Sequence, residues 1–454
     1  MNMHFSFQYT LTALVLILLT TYPLVGGMEV FNMLPWVEAT ALITLSILII
    51  GTKDFSFINK RTWAYIALIL VTPLIFLIPI PFSVFETLPG YEIYAQIITW
   101  VSQNGNIQEP TSLPISLVPY RTEHAFLYLI PPITIFLILA SINTRQKILI
   151  IYAILFIAFC EASLALIQFS SGSEYFFFGI PQLKPGIAYG TYQNADHLVF
   201  LFAMSLPISI ALLFAELNHK HYRQANSSNS ILKIIIFSML IVIFIIGALV
   251  TGSRAGIALT FLAGYLAYLT FSRRNMKKKI LFLLPALVIV FLGISTFLDL
   301  TPVLNLFLGR NPLNDGRWLI NVHTWEGIQA FFPIGSGPGT YPEIYRIFQP
   351  PEQIGFINHA HNDFLEIIFE TGVLGIALIL IGLYLLLSQS RKIPKRRLTD
   401  FQYLQKSTGI GILIFLLHSI LDFNMHDPLN VLFFASILGV FYSKPKFQPQ
   451  ANPS

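Results

Sequence analysis

The stretch His359-Ala-His-Asn-Asp-Phe-Leu-Glu-Ile-Ile-Phe-Glu-Thr-Gly-Val-Leu-Gly375 ends the longest polar segment of the chain and opens an apolar run that continues to about Leu387. Two histidines, one asparagine, one aspartate and two glutamates fall within its first twelve residues. Ionisable side chains are costly inside a bilayer, and those found there usually serve a function. The stretch therefore predicts a reaction site where the chain re-enters a membrane.

The composition of the whole chain is that of a membrane protein. Of its 454 residues, 55% are hydrophobic and only 11% are charged, with a mean hydropathy of +0.69, whereas a soluble domain carries about 25% charged residues. Runs of about 17–25 apolar residues are long enough to span a bilayer. The sequence predicts an all-α, polytopic protein with about twelve transmembrane helices. The predicted spans are residues 9–25, 31–51, 63–81, 124–141, 147–169, 197–215, 231–250, 255–272, 280–298, 364–388, 407–422 and 428–443.

The basic residues predict the orientation of these spans. With both termini in the cytoplasm, all but six of the 27 lysines and arginines fall in inner segments, as the positive-inside rule requires. This asymmetry explains the formal charge of +5 without nucleic acid or another anionic partner. The six basic residues on the outer side are Arg121, Lys184, Arg254, Arg310, Arg317 and Arg346.

The spans form one predicted membrane domain, residues 1–443, followed by a cytoplasmic tail, residues 444–454. The N-terminus lacks a basic region before its first apolar run, which favours a transmembrane helix over a cleaved signal. Cys160 is the only cysteine, so an intrachain disulfide or a cysteine-based metal site is excluded.

Two outer loops have a recognisable character. Prolines throughout residues 82–123 predict an irregular loop. The large extracytoplasmic loop, residues 299–363, contains apolar residues at steps of three and four, which predicts an amphipathic helix on the membrane surface. Pro333 ends this helix and a glycine-rich turn follows. The apolar positions are Trp318, Val322, Trp325, Ile328 and Phe332.

Two of the outer arginines are candidates for binding an anion. Arg254 lies in Thr251-Gly-Ser-Arg-Ala-Gly256, where the apolar stretch from Ile231 to Phe271 is too long for one span and must turn back. It could snorkel to the headgroups, but its small neighbours leave room for a large anion. Arg317 could pair with Asp315 or with a lipid headgroup, although a guanidinium also suits bidentate phosphate binding.

His361 is the candidate for proton transfer, because a histidine exchanges protons near neutral pH. The alternative is a capping role for this segment, since Asn362 or Asp363 is a good helix N-cap. Glu366 and Glu370, spaced i,i+4, place two carboxylates on one face of the helix that follows. Such a face at the membrane favours the functional interpretation.

A metal site has weaker support. His359 and His361 near carboxylates form only a weak zinc pattern. The only other outer histidine cluster contains His418 and His426. We therefore predict neither a metal nor another cofactor.

Two further polar segments lie at the ends of spans. In Gly190-Thr-Tyr-Gln-Asn-Ala-Asp-His197, Asn194 and His197 are either buried hydrogen-bonding groups or ligand contacts. In His418-Ser-Ile-Leu-Asp-Phe-Asn424, the i,i+4 spacing of His418 and Asp422 favours a polar pair that locks helices together, with substrate contact as the alternative.

Together these segments resemble the O-antigen ligase and polymerase family of bacterial envelope glycosyltransferases. The ligase pattern is matched in full by His361-Asn362, nine further residues and Gly372-Val-Leu-Gly375. Two departures are Tyr192, where phenylalanine is usual, and Trp318, which follows its arginine directly. The other segments that carry the resemblance are Gly190–His197, Gly252–Gly256, Arg317–Gly339 and His418–Asn424.

The resemblance implies a GT-C-like helical bundle in the bacterial inner membrane, with its active site facing the periplasm and no metal requirement. The implied donor is an undecaprenyl-diphosphate-linked glycan, and the implied acceptor is a glycan or lipid A-core. Arg254 and Arg317 would stabilise the leaving diphosphate, and His361 would activate the acceptor hydroxyl, with inversion at the anomeric carbon. The predicted substrate-binding residues are Asn194, His197, His359, Asn362, Glu366 and Asp422.

Ligase and polymerase remain alternatives within this family. A twelve-span secondary transporter is a different alternative, but only Glu161 approaches the predicted midplane and the two halves differ in their loops. The outer arginines and His361 count against a third alternative, a non-catalytic assembly protein.

Overall fold

Long apolar helices make up most of the protein. The computed structural model describes residues 2–24, 34–105, 108–171, 186–222, 228–272, 316–395 and 398–444. Two short 3-10 turns, Tyr345–Ile347 and Asn424–His426, complement the α-helices. The helices are α1 (Asn2–Leu24), α2 (Leu34–Gly51), α3 (Lys60–Phe76), α4 (Phe82–Phe85), α5 (Glu92–Asn104), α6 (Pro119–Tyr128), α7 (Ile130–Ser141), α8 (Thr144–Ser171), α9 (Ala195–Tyr222), α10 (Ser228–Val250), α11 (Arg254–Phe271), α12 (Gly316–Phe331), α13 (Tyr341–Ile344), α14 (Asp363–Ser390), α15 (Asp400–His418) and α16 (Pro428–Tyr442).

Seven helical segments within the described residues are long and apolar enough to cross a membrane. The protein is therefore a mostly helical, polytopic membrane protein. The seven segments are Leu34–Gly51, Pro119–Ser141, Thr144–Ser171, Ala195–Asn218, Ser228–Val250, Arg254–Phe271 and Asp363–Ser390.

The remaining predicted spans fall on other elements or outside the described residues. The predicted spans 9–25 and 428–443 overlap the shorter apolar helices Phe7–Thr21 and Pro428–Tyr442. Those at 63–81 and 407–422 overlap α3 and α15. Residues 280–298, most of the preceding basic segment and the first part of the large outer loop lie outside the described residues.

Helix α9 lies in the centre of the bundle and packs against α10, α11 and α15. Every residue from 197 to 211 is buried, as expected for a helix that is apolar on all sides. The start of α11 approaches α9 closely, because a Cβ on Gly256 would lie 2.0 Å from Val199 Cγ1. This close approach brings Arg254, the first residue of α11, beside the polar start of α9.

The prediction of an irregular loop over residues 82–123 is wrong. This region contains α4, α5, the start of α6 and β2 (Ser112–Pro114), which pairs antiparallel with β1 (Pro79–Pro81). Its prolines lie at element boundaries, with Pro119 at the start of α6, where the missing N–H costs nothing. The predicted span at 63–81 also needs correction, since α3 ends at Phe76 and the prolines that follow it suit a short edge strand.

The predicted amphipathic helix is α12. Its exposed face carries Trp318, Val322 and Trp325, as a surface that contacts lipid requires. Ile328 does not belong to that face. It is 5% exposed and packs in a second core cluster with Tyr91 and other residues of the outer loops.

A backbone junction joins the end of α12 to a break inside α14. Gly372 has φ +53°, which interrupts the helix. The loop at residues 333–337 fills the break: Val373 N donates to Pro333 O (2.9 Å), Ser336 N to Phe369 O (3.2 Å) and Gly337 N to Glu370 O (2.8 Å). The junction therefore fixes α12 against the helix that follows His361.

Candidate functional site

Several helix termini meet at one end of the bundle. The starts of α9, α12 and α14 are joined there to the end of α15 through Arg317–Asp196 and Arg317–Leu421 contacts and a hydrogen bond from Asp363 N to Ser419 O (2.8 Å). The start of α11 packs against α9, and the N-cap of α16, Asp427, contacts His197. Helix N-termini carry partial positive charge that favours anions. The predicted site residues are concentrated at this end.

His361 and Asp422 form a hydrogen-bonded pair across the site. His361 Nδ1 lies 2.8 Å from Asp422 Oδ1, and the Asp422 side chain is fully buried, whereas that of His361 is 21% exposed. His361 has φ +51°, a left-handed conformation that is uncommon for residues other than glycine and is enriched at functional sites. Because a carboxylate accepts the proton of Nδ1, the neutral ring presents the lone pair of Nε2.

Arg317 contacts the other oxygen of the same aspartate. Its Nη2 lies 2.6 Å from Asp196 Oδ2 and 3.7 Å from Asp422 Oδ2, and its Nη1 donates to Leu421 O at 3.2 Å. The side chain is 30% exposed. A histidine and a guanidinium are thus held by one buried carboxylate.

His359 and Glu366 belong to a neighbouring buried cluster. Glu366 Oε1 lies 2.8 Å from His359 Nδ1 and 3.2 Å from His426 Nε2, and His426 Nδ1 lies 3.2 Å from Asp363 Oδ1. Burial lowers the pKa of His359. Burial alone would also lower the pKa of His426, but the charges of Glu366 and Asp363 outweigh it and raise that pKa to about 10.

Phe423 contacts three of the histidines. Its ring stacks on His359 at a centroid distance of 4.6 Å and meets His361 and His197 edge-on at 4.9 and 4.7 Å. Aromatic rings favour stacked or edge-on contacts at centroid distances of about 4.5–7 Å. Phe423 aligns the histidine rings between the two clusters.

The Gly190–His197 segment is held by two polar residues of α8. Glu161 accepts hydrogen bonds from Thr191 N (2.9 Å) and Thr191 Oγ1 (2.7 Å). Gln168 Oε1 accepts from Tyr189 N and Gly190 N, and its Nε2 donates to Gly190 O. Gly190 has φ +58° and no space for a side chain, since a Cβ would lie 2.3 Å from Glu161 Oε2.

Within this segment, both candidate ligand residues have partners in the protein. Asn194 Oδ1 accepts from Asp196 N at 2.9 Å. His197 is buried, and its Nδ1 lies 3.1 Å from Asp427 Oδ2. These contacts account for Asn194 Oδ1 and His197 Nδ1, and Asn194 is only half-buried.

The capping alternative for Asn362 is confirmed, because its Oδ1 accepts from Phe364 N and Leu365 N. The prediction of a His418–Asp422 pair is wrong. His418 hydrogen-bonds to the Asn424 side chain, and the carboxylate of Asp422 points across the site to His361. Met425, three residues after Asp422, donates its backbone N–H to the Asp363 side chain. This contact also joins the segment after α15 to the start of α14.

The arginine turn has the predicted form. Helix α10 ends at Val250, and Ser253 caps α11 by accepting from Gly256 N. Arg254 is partly exposed at the first position of α11. Its charge lies at a helix start, and the adjacent backbone is tied to the 186–194 segment by a hydrogen bond from Ala188 N to Val250 O (3.1 Å).

Five residues of the site are not among the predicted site residues. Asp196, Asp363 and Phe423 lie inside quoted motifs, and His426 and Asp427 follow His418–Asn424 within three residues. A usable signal was Asp427-Pro428, an N-cap followed by proline at the first helical position. That signal places His426 directly before the start of α16.

A comparison with protein families matches residues 239–391 to the family described as O-antigen ligase. No curated protein matches the chain. The matched range contains Arg254, Arg317 and the whole of His359–Gly375, and it ends before Asp422. The match confirms the resemblance drawn from the motifs: residues 239–391 are similar to the O-antigen ligase family.

Proposed function

We propose that the protein transfers an undecaprenyl-diphosphate-linked glycan to an acceptor hydroxyl at the outer face of the bacterial inner membrane. The observation that carries this proposal is the double role of Asp422, which lies 2.8 Å from His361 and 3.7 Å from Arg317. A proton-accepting ring and a phosphate-binding cation are thereby held side by side. Both groups are needed when a hydroxyl displaces a diphosphate.

In this mechanism His361 Nε2 accepts the proton of the acceptor hydroxyl as its oxygen attacks the anomeric carbon. The bond from that carbon to the diphosphate breaks on the opposite face, so the configuration inverts. Asp422 keeps Nδ1 protonated and stabilises the imidazolium that forms. His361 therefore acts as the base, and Asp422 acts as the positioning residue.

The departing diphosphate needs fixed positive charge where negative charge develops. Arg317 supplies a guanidinium at the start of α12, and Arg254 supplies a second at the start of α11. The helix N-termini add partial positive charge in the same region. The chemistry is proposed to proceed through these protein groups, without a metal at the reacting atoms.

The substitution Asp422→Asn tests the positioning role. An amide cannot stabilise the imidazolium and favours the wrong ring tautomer, so we expect kcat to fall by roughly 10- to 100-fold with a smaller change in KM. Steady-state kinetics with the reconstituted protein measure this split. A change confined to KM would instead make Asp422 a substrate-binding residue.

The substitution Arg317→Lys tests the phosphate-binding role. Lysine keeps the charge but loses the planar, bidentate geometry, so we expect kcat/KM to fall by about 100-fold. The matched control is Arg346→Lys, since Arg346 also lies in the outer loop but stacks over Phe356 at 4.8 Å. Equal activity of the two variants would contradict the role of Arg317.

The deciding experiment gives the purified protein a defined undecaprenyl-diphosphate glycan with two acceptors, lipid A-core and a second lipid-linked glycan. A single adduct on the core identifies a ligase, and a ladder of products identifies a polymerase. Absence of both products, together with wild-type behaviour of His361→Ala in cells, would overturn the enzyme proposal.

The proposed orientation has a separate test. Reporter fusions after residue 340 should report a periplasmic location, because inner segments hold the basic residues. A cytoplasmic readout there would place His361 and Arg317 on the wrong side for a periplasmic reaction.

A further inference from the structure

We propose that His359, Glu366 and His426 bind a divalent transition-metal ion of the Zn²⁺ class. The mechanism above uses none of these three side chains in a chemical step. The ion would hold together the two segments that carry His361 and Asp422. The proposal does not depend on which glycan the protein transfers.

The ligand atoms of the three residues already converge. His359 Nδ1 and His426 Nε2 lie 2.8 and 3.2 Å from the same Glu366 oxygen, and all three ligand atoms lie within 4.8 Å of one another. In a tetrahedral zinc site with bonds of about 2.0–2.2 Å, ligand atoms lie about 3.3 Å apart. Small outward movements of the two rings give that spacing. Two histidines and one glutamate leave the fourth position open to water.

Two of the three ligands are oriented by a second contact. Glu366 Oε2 accepts a hydrogen bond from Ala360 N at 2.7 Å, which directs Oε1 towards the two rings. His426 Nδ1 lies 3.2 Å from Asp363 Oδ1, whose other oxygen accepts from Met425 N at 3.0 Å. Carboxylate partners of this kind fix the ring orientation of metal-bound histidines. The geometry is that of a ligand set with its outer contacts in place.

The local charge also suits a cation. Asp363 and Glu366 are buried carboxylates, with 0% and 1% side-chain exposure, and buried charges require compensation. A divalent ion would supply that compensation. Imidazole binds metals in its neutral form, so binding is best measured at pH 8.

The structural consequence of binding follows from the chain positions of the ligands. His359 and Glu366 flank His361, whereas His426 lies four residues after Asp422. An ion shared by these ligands would connect the two segments and restrict the distance between His361 and Asp422. Its role would be to position the catalytic pair.

The test uses the full-length protein in detergent, stripped with a chelator and titrated with Zn²⁺ at pH 8. We expect one ion per chain by elemental analysis after gel filtration, together with a higher unfolding temperature. Glu366→Gln and His426→Asn should each weaken binding by at least about 100-fold, because loss of an outer contact alone costs about 10- to 100-fold.

His323→Asn is the matched control. His323 Nδ1 also lies 2.8 Å from a carboxylate oxygen, that of Glu326, but the two form an exposed pair on α12. This variant should bind Zn²⁺ like the wild type. Binding that is absent in the wild type, or lost equally in His323→Asn, would overturn the proposal and leave the cluster as a hydrogen-bonded lock.

A measurement on the wild type alone covers the case in which the ligand variants fail to fold. X-ray absorption of the zinc-loaded protein should give a first coordination shell of two imidazole nitrogens and light oxygen atoms. A shell without imidazole would contradict the assignment.

Discussion

Replacing His361 with asparagine should lower the rate of glycan transfer by about 10²- to 10⁴-fold, the usual contribution of a positioned general base. Asparagine tolerates the left-handed backbone that His361 adopts at φ +51°, so the variant should fold. The loss should appear in kcat, because the ring acts on the proton in the transition state. Initial rates with the reconstituted protein at saturating donor measure it.

The control for this variant is His323→Asn, which removes a partly exposed histidine from α12 at no proposed catalytic position. Its transfer rate should stay within twofold of the wild type. If His361→Asn retained more than a tenth of the wild-type rate while folding normally, another group would have to accept the acceptor proton.

The second large effect is expected at the break in α14. Gly372→Ala should lower the free energy of unfolding by about 3 kcal/mol or more. The new Cβ would lie 2.1 Å from Pro333 O, and alanine would have to adopt φ +53°. Relief of that contact separates the loop at residues 333–337 from the carbonyls of Phe369 and Glu370. Unfolding in detergent, followed by circular dichroism, measures the loss.

Gly355→Ala is the informative control for Gly372→Ala. Gly355 also has a positive φ, +113°, but nothing lies within 4 Å of the position of its Cβ. The loss of stability in Gly355→Ala should therefore reflect backbone strain alone, about 1–3 kcal/mol. Equal losses for the two variants would mean that the junction between α12 and α14 contributes no stability.

The sequence predicted the features that depend on local pattern. The turn at residues 251–256, the cap at Asn362 and α12 with its end before Pro333 follow from apolar run length, capping chemistry and periodicity. Each is encoded within about twenty residues. The family resemblance rested on the same kind of local motif, including Gly372, for which the structure supplies the steric reason.

The sequence did not predict which polar residues meet. The i,i+4 spacing predicts contact between His418 and Asp422, but α15 ends at His418 and the chain then turns towards His361. His426 lies far from His359 in the sequence, although the fold brings the two rings to a centroid distance of 4.3 Å. Contacts between residues more than sixty positions apart depend on helix packing, which spacing rules do not encode.

The two hydrogen bonds from Thr191 to Glu161 have a consequence for how this protein can move. A carrier that couples transport to protons or ions needs an intramembrane carboxylate that exchanges partners during its cycle. Glu161 instead accepts both the backbone and the hydroxyl of one residue, and Gln168 secures the next peptide groups. The Glu161 carboxylate therefore anchors the loop before α9 to α8, which suits the proposed transfer reaction better than a transport cycle.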